Sequence, residues 1–213
     1  MQLVYFPIAG RGELIRLIAA VGGVKEFEDL TALPDGVTAA DCGSAGSMPL
    51  LLDGSTGVKM NESTAIEYYV ASTIPMFNHT TLTPRQRAKD AQFCALKETC
   101  LGAIAGPLFG QDMETLKKNI AKYFPILEGL VPTDGSFING LDHPTVADLA
   151  VLNLVGGGTG AYMPFGAGYK HAGVSLQADY PKLVAHAEKV KQVESVAKYL
   201  ATSKTWSAAA FGV

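Results

Sequence analysis

Four short segments in the first third of the chain have the length of β-strands; three are mainly apolar, and residues 26–30 show only partial alternation. Each covers three to five residues and is bounded by turn-forming residues, which is typical of strands in a small sheet. Asp53 and Gly54 begin a strong turn signal between the last two segments, so the last strand is expected to return beside the one before it. The predicted strands cover residues 2–6, 26–30, 48–52 and 58–60.

Two other segments of this region place apolar residues at the spacing of a helix. Residues 14–22 carry this pattern after the first strand, and residues 64–71 carry it after the last. Between the second and third strands, residues 31–47 are rich in Ala, Gly and Ser and are loop-like in composition. Residues 1–76 are therefore predicted to form an α/β thioredoxin-like N-terminal domain of the order β-α-β-α-β-β-α, with an irregular segment in its middle.

Only helical patterns are visible in the remainder of the chain. Thr83 precedes Pro84, a pair that is typical of an N-cap followed by the first residue of a helix. Residues 83–213 are predicted to form an all-α C-terminal helical domain, joined to the first by a connector that contains Pro and Thr. The predicted helices cover residues 84–105, 114–129, 145–155, 181–191 and 194–202.

The balance of charge argues against a nucleic-acid partner. The chain has 17 Lys and Arg against 20 Asp and Glu, and it lacks a stripe of basic residues that would neutralise phosphates. Hydrophobic residues make up 48% of the chain, and its mean hydropathy is +0.18. This composition indicates a soluble globular protein with a large core, and it fits an apolar pocket and a buried subunit interface equally well.

We expect a cytoplasmic protein without a membrane or targeting segment. The most apolar later stretch, residues 147–155, is about half the length that a bilayer requires and contains Asp148 and Asn153. The three cysteines and four histidines show no metal-ligand spacing, so no metal is expected. A reducing cytosol is the simplest location for such cysteines.

Tyr5 carries the strongest chemical signal. It lies at the end of the first predicted strand, and residues 7–13 after it form a turn rich in Gly. Open α/β sheets bind their ligands at the carboxyl ends of strands, so this hydroxyl is placed for chemistry. The alternative is a strand tyrosine that fills the core.

Four motifs, in this order along nearly the whole chain, resemble cytosolic glutathione S-transferases of the tyrosine type. Residues 5–16 (YFPIAGRGELIR) resemble the opening of these enzymes. Met48-Pro49 with residues 61–66 (NESTAI) resembles their glutathione-holding segment. Residues 144–148 (PTVAD) are similar to the capping box of the family, and residues 180–200 are similar to its closing helices. Among the classes, the sigma-like enzymes are the most similar.

This resemblance implies an enzyme with glutathione as its co-substrate and with no metal or redox cofactor. Tyr5 would donate a hydrogen bond to the glutathione sulfur and stabilise the thiolate, which attacks a hydrophobic electrophile. A free thiol with a pKa near 8.5 is only about 3% thiolate at pH 7. Lowering that pKa by about two units requires roughly 2.7 kcal/mol, and one well-aimed hydroxyl near a helix N-terminus can supply much of it.

The resemblance also implies which residues hold glutathione. Pro49 would follow a cis peptide bond, so that the backbone of Met48 can pair with the cysteinyl part of glutathione. Ser63 and the backbone N–H groups at the start of its helix would bind the γ-glutamyl carboxylate, and Glu62 would take the ammonium group. The alternative for Ser63 is an ordinary helix cap, which is compatible with ligand binding.

Further residues follow from the same resemblance. Arg11 would help to organise the sulfur site, and Glu98 would reach across a homodimer to the neighbouring glutathione. The alternative for Arg11 is a surface ion pair. The helical domain would contribute the hydrophobic substrate site, and Phe6, Ile8 and Ile104 would line it. These three residues could equally belong to the core.

The chain departs from the family pattern between residues 31 and 47. Many relatives hold the glycyl carboxylate of glutathione with a Trp or Lys from this segment, but here it contains no Lys, Arg, Trp or His. Either backbone and polar groups hold the carboxylate, or glutathione binds more weakly. Residues 156–173 are also unusual, because they are rich in glycine and could reshape the rim of the pocket. We interpret residues 156–160 as a flexible loop.

Two other functions stay open at this point. A glutathione-dependent isomerase or peroxidase would use the same scaffold, and the isomerase would need a roomier pocket. A non-catalytic relative, such as a lens crystallin or a carrier of apolar ligands, is favoured by the missing basic residue. The presence of Tyr5 and Ser63 opposes it, since a protein without catalysis has no physical need for either. The sequence does not identify the electrophile.

Overall fold

A mixed sheet of four strands lies in the amino-terminal part of the chain, of which the computed structural model describes residues 1–156 and 165–206. Its strands are β1 (Gln2–Val4), β2 (Glu28–Leu30), β3 (Leu50–Asp53) and β4 (Val58–Asn61). Their order is β2-β1-β3-β4, with β1 parallel to β2 and antiparallel to β3. Strands β3 and β4 form an antiparallel pair around the predicted turn.

Two helices pack beside this sheet and against each other. They are α1 (Arg11–Val21) and α2 (Ser63–Ser72). Helix α2 also contacts β3 and β4, so its first residue lies close to the edge strand. The order of strands and helices agrees with the predicted thioredoxin-like unit.

The segment between β2 and β3 forms a single 3₁₀ turn, Ala39–Cys42, in the place of a full second helix. Thr38 and Asp41 cap its start, because each side chain accepts a hydrogen bond from the backbone N–H of the other. Gly43 ends the turn with a φ of 73°, in the left-handed region that favours glycine. The irregular composition of this segment therefore corresponds to an irregular backbone.

Helices make up most of the remaining described chain. They are α3 (Pro84–Phe109), α4 (Met113–Leu130), α5 (Val146–Val155), α6 (Phe165–His171), α7 (Leu176–Asp179), α8 (Pro181–Lys191) and α9 (Glu194–Thr202). Thr83 caps α3 as predicted, since its hydroxyl accepts the backbone N–H of Gln86 at 3.3 Å. A second 3₁₀ turn, Pro75–Phe77, leads from α2 towards α3.

The glycine-rich segment is partly helical. Residues 157–160 of the predicted flexible loop lie outside the described residues, whereas Gly156 ends α5 with a φ of 62°. Helix α6 was not predicted, because glycine is a poor helix former. A Cβ atom on Gly168 would lie 2.2 Å from Cδ1 of Leu108 on α3, so this glycine permits α6 to pack closely.

The core is organised around α5, whose residues are all buried. This helix packs against α3 and α8 and also contacts α1. Its one acidic residue, Asp148, accepts hydrogen bonds from the backbone N–H groups of Ile138 at 2.8 Å and Thr145 at 2.7 Å. Nε2 of His186, on α8, lies 2.8 Å from the same carboxylate. The predicted capping residue thus also ties two helices together.

Two absences concern the residues that the structure describes. None of their helices is long and apolar enough to cross a membrane. No group of three or more His, Cys, Asp and Glu side chains lies close enough together to hold a metal ion.

Candidate functional site

Tyr5 lies directly after β1, buried against the loop that leads into α1. Its hydroxyl accepts a hydrogen bond from the backbone N–H of Arg11 at 3.2 Å. Two glycines make room for the ring. A Cβ atom on Gly12 would lie 2.5 Å from Cδ1 of Tyr5, and one on Gly10 would lie 2.9 Å from its hydroxyl oxygen. Because both distances are shorter than real Cβ contacts, the ring can occupy this position only against glycine.

The environment of Tyr5 keeps its phenol protonated. Burial raises the pKa of Tyr5 above its usual value, although the N–H and the charge of Arg11 act in the opposite direction. The N–H of Arg11 donates to one lone pair of the Tyr5 hydroxyl oxygen. The hydrogen of that hydroxyl is therefore available to an acceptor. A neutral phenol with an available hydrogen is the form that can donate to an anionic sulfur.

Arg16 holds the turn that follows Tyr5. Its guanidinium donates to the backbone carbonyl oxygens of Phe6 at 3.0 Å and Ile8 at 2.9 Å, and it also pairs with Asp29 at 2.7 Å. The same group lies 5.6 Å from the centre of the Tyr5 ring, within the range of a cation–π contact. Arg16 is thus a positioning residue for the loop that carries the phenol.

Glu13 connects this loop to the carboxyl-terminal part of the described chain. Its carboxylate has no exposed surface and accepts hydrogen bonds from Tyr199 at 2.6 Å, Thr205 at 2.7 Å and Arg16 at 3.0 Å. Burial raises the pKa of Glu13, and these three partners act to lower it. The sequence analysis did not assign a role to Glu13 or Arg16. The available signal was a pair of charged residues, three apart, on either side of two apolar residues in a mainly apolar helix.

A second group of predicted residues surrounds the start of α2. The Met48-Pro49 peptide bond is cis, as the resemblance implies. Glu62 is exposed and has a φ of 67°, an uncommon conformation for a residue with a side chain, and such strain is concentrated at functional positions. Ser63 follows as the first residue of α2 and is buried. The N-terminal N–H groups of this helix form a site suited to an anion.

A chain of ion pairs joins these two groups through α3. Nε of Arg11 lies 2.8 Å from Oε2 of Glu98, and Oε1 of Glu98 lies 2.6 Å from Nζ of Lys97. Lys97 in turn pairs with Glu67 of α2, and both of these side chains are completely buried. Burial acts to raise the pKa of Glu98, but Lys97, the Ser63 hydroxyl and Arg11 together hold it below its usual value.

The structure brings four of the predicted residues into one connected region. Tyr5 contacts Arg11, Arg11 pairs with Glu98, and Ser63 lies close enough to Glu98 to lower its pKa. The three residues predicted to line a hydrophobic pocket differ in their surroundings. Phe6 is 55% exposed and packs edge-on against Tyr5, and Ile8 is half-buried. Ile104 has no exposed surface and lies within the hydrophobic core.

Comparison with known proteins shows that the chain is similar to glutathione S-transferases. Residues 108–203 match the family model described as the glutathione S-transferase C-terminal domain. No curated protein matches the chain. Among solved structures, a glutathione S-transferase of Caenorhabditis elegans is 27% identical with a TM-score of 0.68, over 95% of this chain and 97% of that chain.

Two further solved structures give the same result. The glutathione S-transferase of Ascaris lumbricoides is 23% identical with a TM-score of 0.71, over 95% of this chain and 96% of that one. Monomeric Na-GST-3 of Necator americanus, a glutathione S-transferase, is 22% identical with a TM-score of 0.69, over 94% and 96%. Together with the family model, these similarities show that the chain has the glutathione S-transferase fold.

Proposed function

We propose that this chain is a glutathione S-transferase of the tyrosine type, in which Tyr5 activates the thiol of glutathione. The buried, protonated phenol beside the start of α1 is the observation that carries the proposal. Its hydroxyl donates to the glutathione sulfur, and the resulting thiolate attacks an electrophilic carbon of a hydrophobic substrate. The bond from that carbon to its leaving group breaks, and the sulfur proton is released to solvent.

Glutathione lies, in this proposal, between the cis Met48-Pro49 segment and the start of α2. The backbone of Met48 pairs with the cysteinyl part, Ser63 and the N–H groups of α2 bind the γ-glutamyl carboxylate, and Glu62 takes the ammonium group. Arg11 organises the sulfur site from the first turn of α1. Its ion pair with Glu98 supports this role, because it limits the positions that the guanidinium can adopt.

The remaining parts of the proposal concern the electrophile and the assembly. Phe6 and Ile8, beside Tyr5, form one wall of the hydrophobic site. Ile104 is a core residue and supports the floor of this site. A cytoplasmic homodimer of sigma-like class is proposed, in which Glu98 also reaches the glutathione of the second subunit. In the single chain Glu98 is already paired with Arg11 and Lys97, so it would have to share its carboxylate with that ligand.

The experiment that tests the proposal is the conjugation of glutathione to chlorodinitrobenzene by the wild type and by Tyr5→Phe. This substitution removes one hydroxyl and little volume. We expect the rate to fall at least about tenfold and the pKa of the bound thiol to rise, because the thiolate loses a donor. Tyr68→Phe, at a 64% exposed position, is the matched control and should leave the rate unchanged. Equal rates for wild type and Tyr5→Phe would refute the role of Tyr5.

A non-catalytic carrier of apolar ligands is the second candidate function. It is favoured by one observation, the lack of a basic or Trp side chain between residues 31 and 47 for the glycyl carboxylate. Equilibrium dialysis with glutathione separates the two functions. A wild type that neither binds glutathione nor conjugates it would support the carrier, and binding with conjugation would support the transferase.

A further inference from the structure

The strand register fixes which way glutathione runs in the proposed site. Its cysteinyl part pairs with Met48 and its γ-glutamyl end lies at Ser63 in that proposal. Leu50 of β3 pairs with Asn61 of β4, close to Ser63 along the chain, so the γ-glutamyl end lies on the Leu50 side of Met48. Only a ligand antiparallel to the chain at Met48 meets this condition. The glycine then lies opposite the residue before Met48, which is Ser47.

The polar hydrogens beside Ser47 are used within its own loop. The backbone N–H of Gly46 donates to Oγ of Ser44 at 3.1 Å, and the hydroxyl of Ser44 donates to the carbonyl oxygen of Ser47 at 2.9 Å. Because Ser44 has one hydroxyl hydrogen, the 3.1 Å contact between the two hydroxyls is donated by Ser47. Oγ of the exposed Ser47 therefore has a free lone pair but no free hydrogen, so it can serve the ligand only as an acceptor.

The backbone N–H of Ser47 does not change this balance. In an antiparallel pair, the residues next to a hydrogen-bonded pair direct their N–H and C=O groups away from the partner strand. The N–H of Met48 is used by the cysteinyl part of the ligand, so that of Ser47 points away from the glycine. A carboxylate at this position lacks these donors.

The charge near Ser47 is also unfavourable for a carboxylate. Residues 31–47 contain Asp35 and Asp41 and no Lys, Arg or His. Asp41 is exposed, and hydrogen bonds from the backbone N–H and the hydroxyl of Thr38 hold its pKa below the usual value. The segment before Met48 is therefore anionic at neutral pH, and it repels a second anion.

Two cations from other elements lie on the wrong side of Met48. Lys59 pairs with Leu52, about 12 Å along β3 from Met48 and in the direction away from Ser47. Its charge also lowers the pKa of Asp41, so that acid offsets it. Arg11 pairs with Glu98, whose pKa the Ser63 hydroxyl lowers, and it therefore belongs to the γ-glutamyl end.

We propose that this site accepts γ-glutamylcysteinyl thiols whose glycine carries an amide in the place of the carboxylate, and that it uses them as well as free glutathione. The amide N–H donates to Oγ of Ser47, whereas a carboxylate would face this acceptor and the charge of Asp41. The proposal rests on the proposed function, because it takes the positions of the cysteinyl and γ-glutamyl parts from it.

The test compares glutathione with its glycyl amide as co-substrates for chlorodinitrobenzene, after correction for the uncatalysed rate. We expect kcat/KM for the amide to lie within about threefold of that for glutathione, or above it. A site with donors for the carboxylate would favour glutathione about tenfold or more, because hydrogen bonds to charged groups are strong. A preference for glutathione of more than about threefold would overturn the proposal.

A gain of selectivity tests where the glycine lies. Ser47→Lys places a cation opposite it and should raise the preference for glutathione over the amide at least about fivefold. Ala121→Lys, at an exposed residue of α4, adds the same charge in the helical part and should leave the ratio unchanged. Both thiols are compared in each variant, so a general loss of folded protein cancels from the ratio. A wild-type ratio in Ser47→Lys would overturn the proposal.

The two proposals fail in different ways. Conjugation of glutathione without conjugation of the amide would overturn the present proposal and leave the transferase intact. If neither thiol is conjugated, equilibrium dialysis with both decides. Equal binding would then support the present proposal and refute the transferase, binding of glutathione alone would overturn the present proposal, and binding of neither would overturn both.

Discussion

The backbone N–H of Arg11 donates to the hydroxyl of Tyr5 at 3.2 Å, while the guanidinium of the same arginine pairs with Glu98 at 2.8 Å. One residue therefore fixes both the phenol and the start of α1 relative to α3. The start of α1 carries the positive end of the helix dipole, which favours an anion at this position. In the proposed mechanism, the thiolate would therefore be stabilised by the helix dipole as well as by the phenol.

The first prediction concerns the contact between Gly12 and Tyr5. In Gly12→Ala the new Cβ would lie 2.5 Å from Cδ1 of Tyr5, so the ring must move away from its present position. We expect the conjugation rate to fall at least about tenfold, as in Tyr5→Phe. Gly106→Ala is the matched control, because a Cβ there meets nothing within 4 Å and should stabilise α3 by about 0.5–1 kcal/mol without loss of rate. An active Gly12→Ala would contradict the prediction.

The second prediction concerns the buried pair of Lys97 and Glu67. Lys97→Met removes the cation and leaves Glu67 buried without its partner, which should lower the free energy of unfolding by about 3–5 kcal/mol. The double variant Lys97→Met/Glu67→Met replaces the pair by apolar side chains and should recover at least about 1 kcal/mol of that loss. Urea denaturation measures both. A double variant that is no more stable than Lys97→Met would contradict the prediction.

The third prediction concerns the contact of Tyr199 with Glu13. Tyr199→Phe removes a hydroxyl that donates to a completely buried carboxylate at 2.6 Å. Because hydrogen bonds to charged groups are stronger than neutral ones, we expect a loss of about 1.5–3 kcal/mol in the free energy of unfolding. Tyr68→Phe, in an exposed position, should change it by less than about 0.5 kcal/mol. Similar urea midpoints for the two variants would refute the importance of this contact.

The fourth prediction concerns the pH dependence that Asp53 contributes. The hydroxyl of Ser55 donates to it at 2.6 Å and that of Tyr69 at 2.7 Å, and these bonds lower the pKa of Asp53 from 3.8 to about 2. The depressed pKa stabilises the folded chain above pH 3.8, and this contribution is lost as the pH falls through about 2.

Asp53→Asn should lack this dependence. Between pH 5 and pH 2 the wild type should therefore lose about 1–2 kcal/mol more stability than the variant. Thermal unfolding at a series of pH values measures the difference. Parallel curves for the two proteins would mean that Asp53 is not stabilised as an anion in the folded state.

Local sequence signals were sufficient for several elements of the fold. The predicted bounds of α8 and α9 agree with the structure, and those of β4 and α2 differ by a residue. These elements are defined by near neighbours, such as Pro181 in the first turn of α8. Helix α1 instead begins at Arg11, before its predicted start, because Arg11 and Gly12 carry no apolar signal. The structure brings their backbone into the helix against the ring of Tyr5.

Contacts between distant parts of the chain could not be predicted in this way. Glu13, Arg16, Glu67 and Lys97 are charged residues that become buried, and each depends on a partner from another element. A sequence pattern shows that a charge lies on an apolar helix face, but it does not show which partner satisfies it. The candidate residues near Tyr5 were easier to predict, since they are close together along the chain in a segment that resembles a known motif.

The contact of Glu13 with Tyr199 has a consequence for synthesis on the ribosome. The two residues are 186 positions apart, so at usual elongation rates Tyr199 is made roughly 10 to 40 seconds after Glu13. During this interval the amino-terminal sheet and α1 can assemble. The Glu13 carboxylate then has only Arg16 as a partner, because Tyr199 and Thr205 have not yet been made. The loop around Tyr5 therefore reaches its final order only when the last described helix has emerged, and truncated chains should be inactive even if their first half is folded.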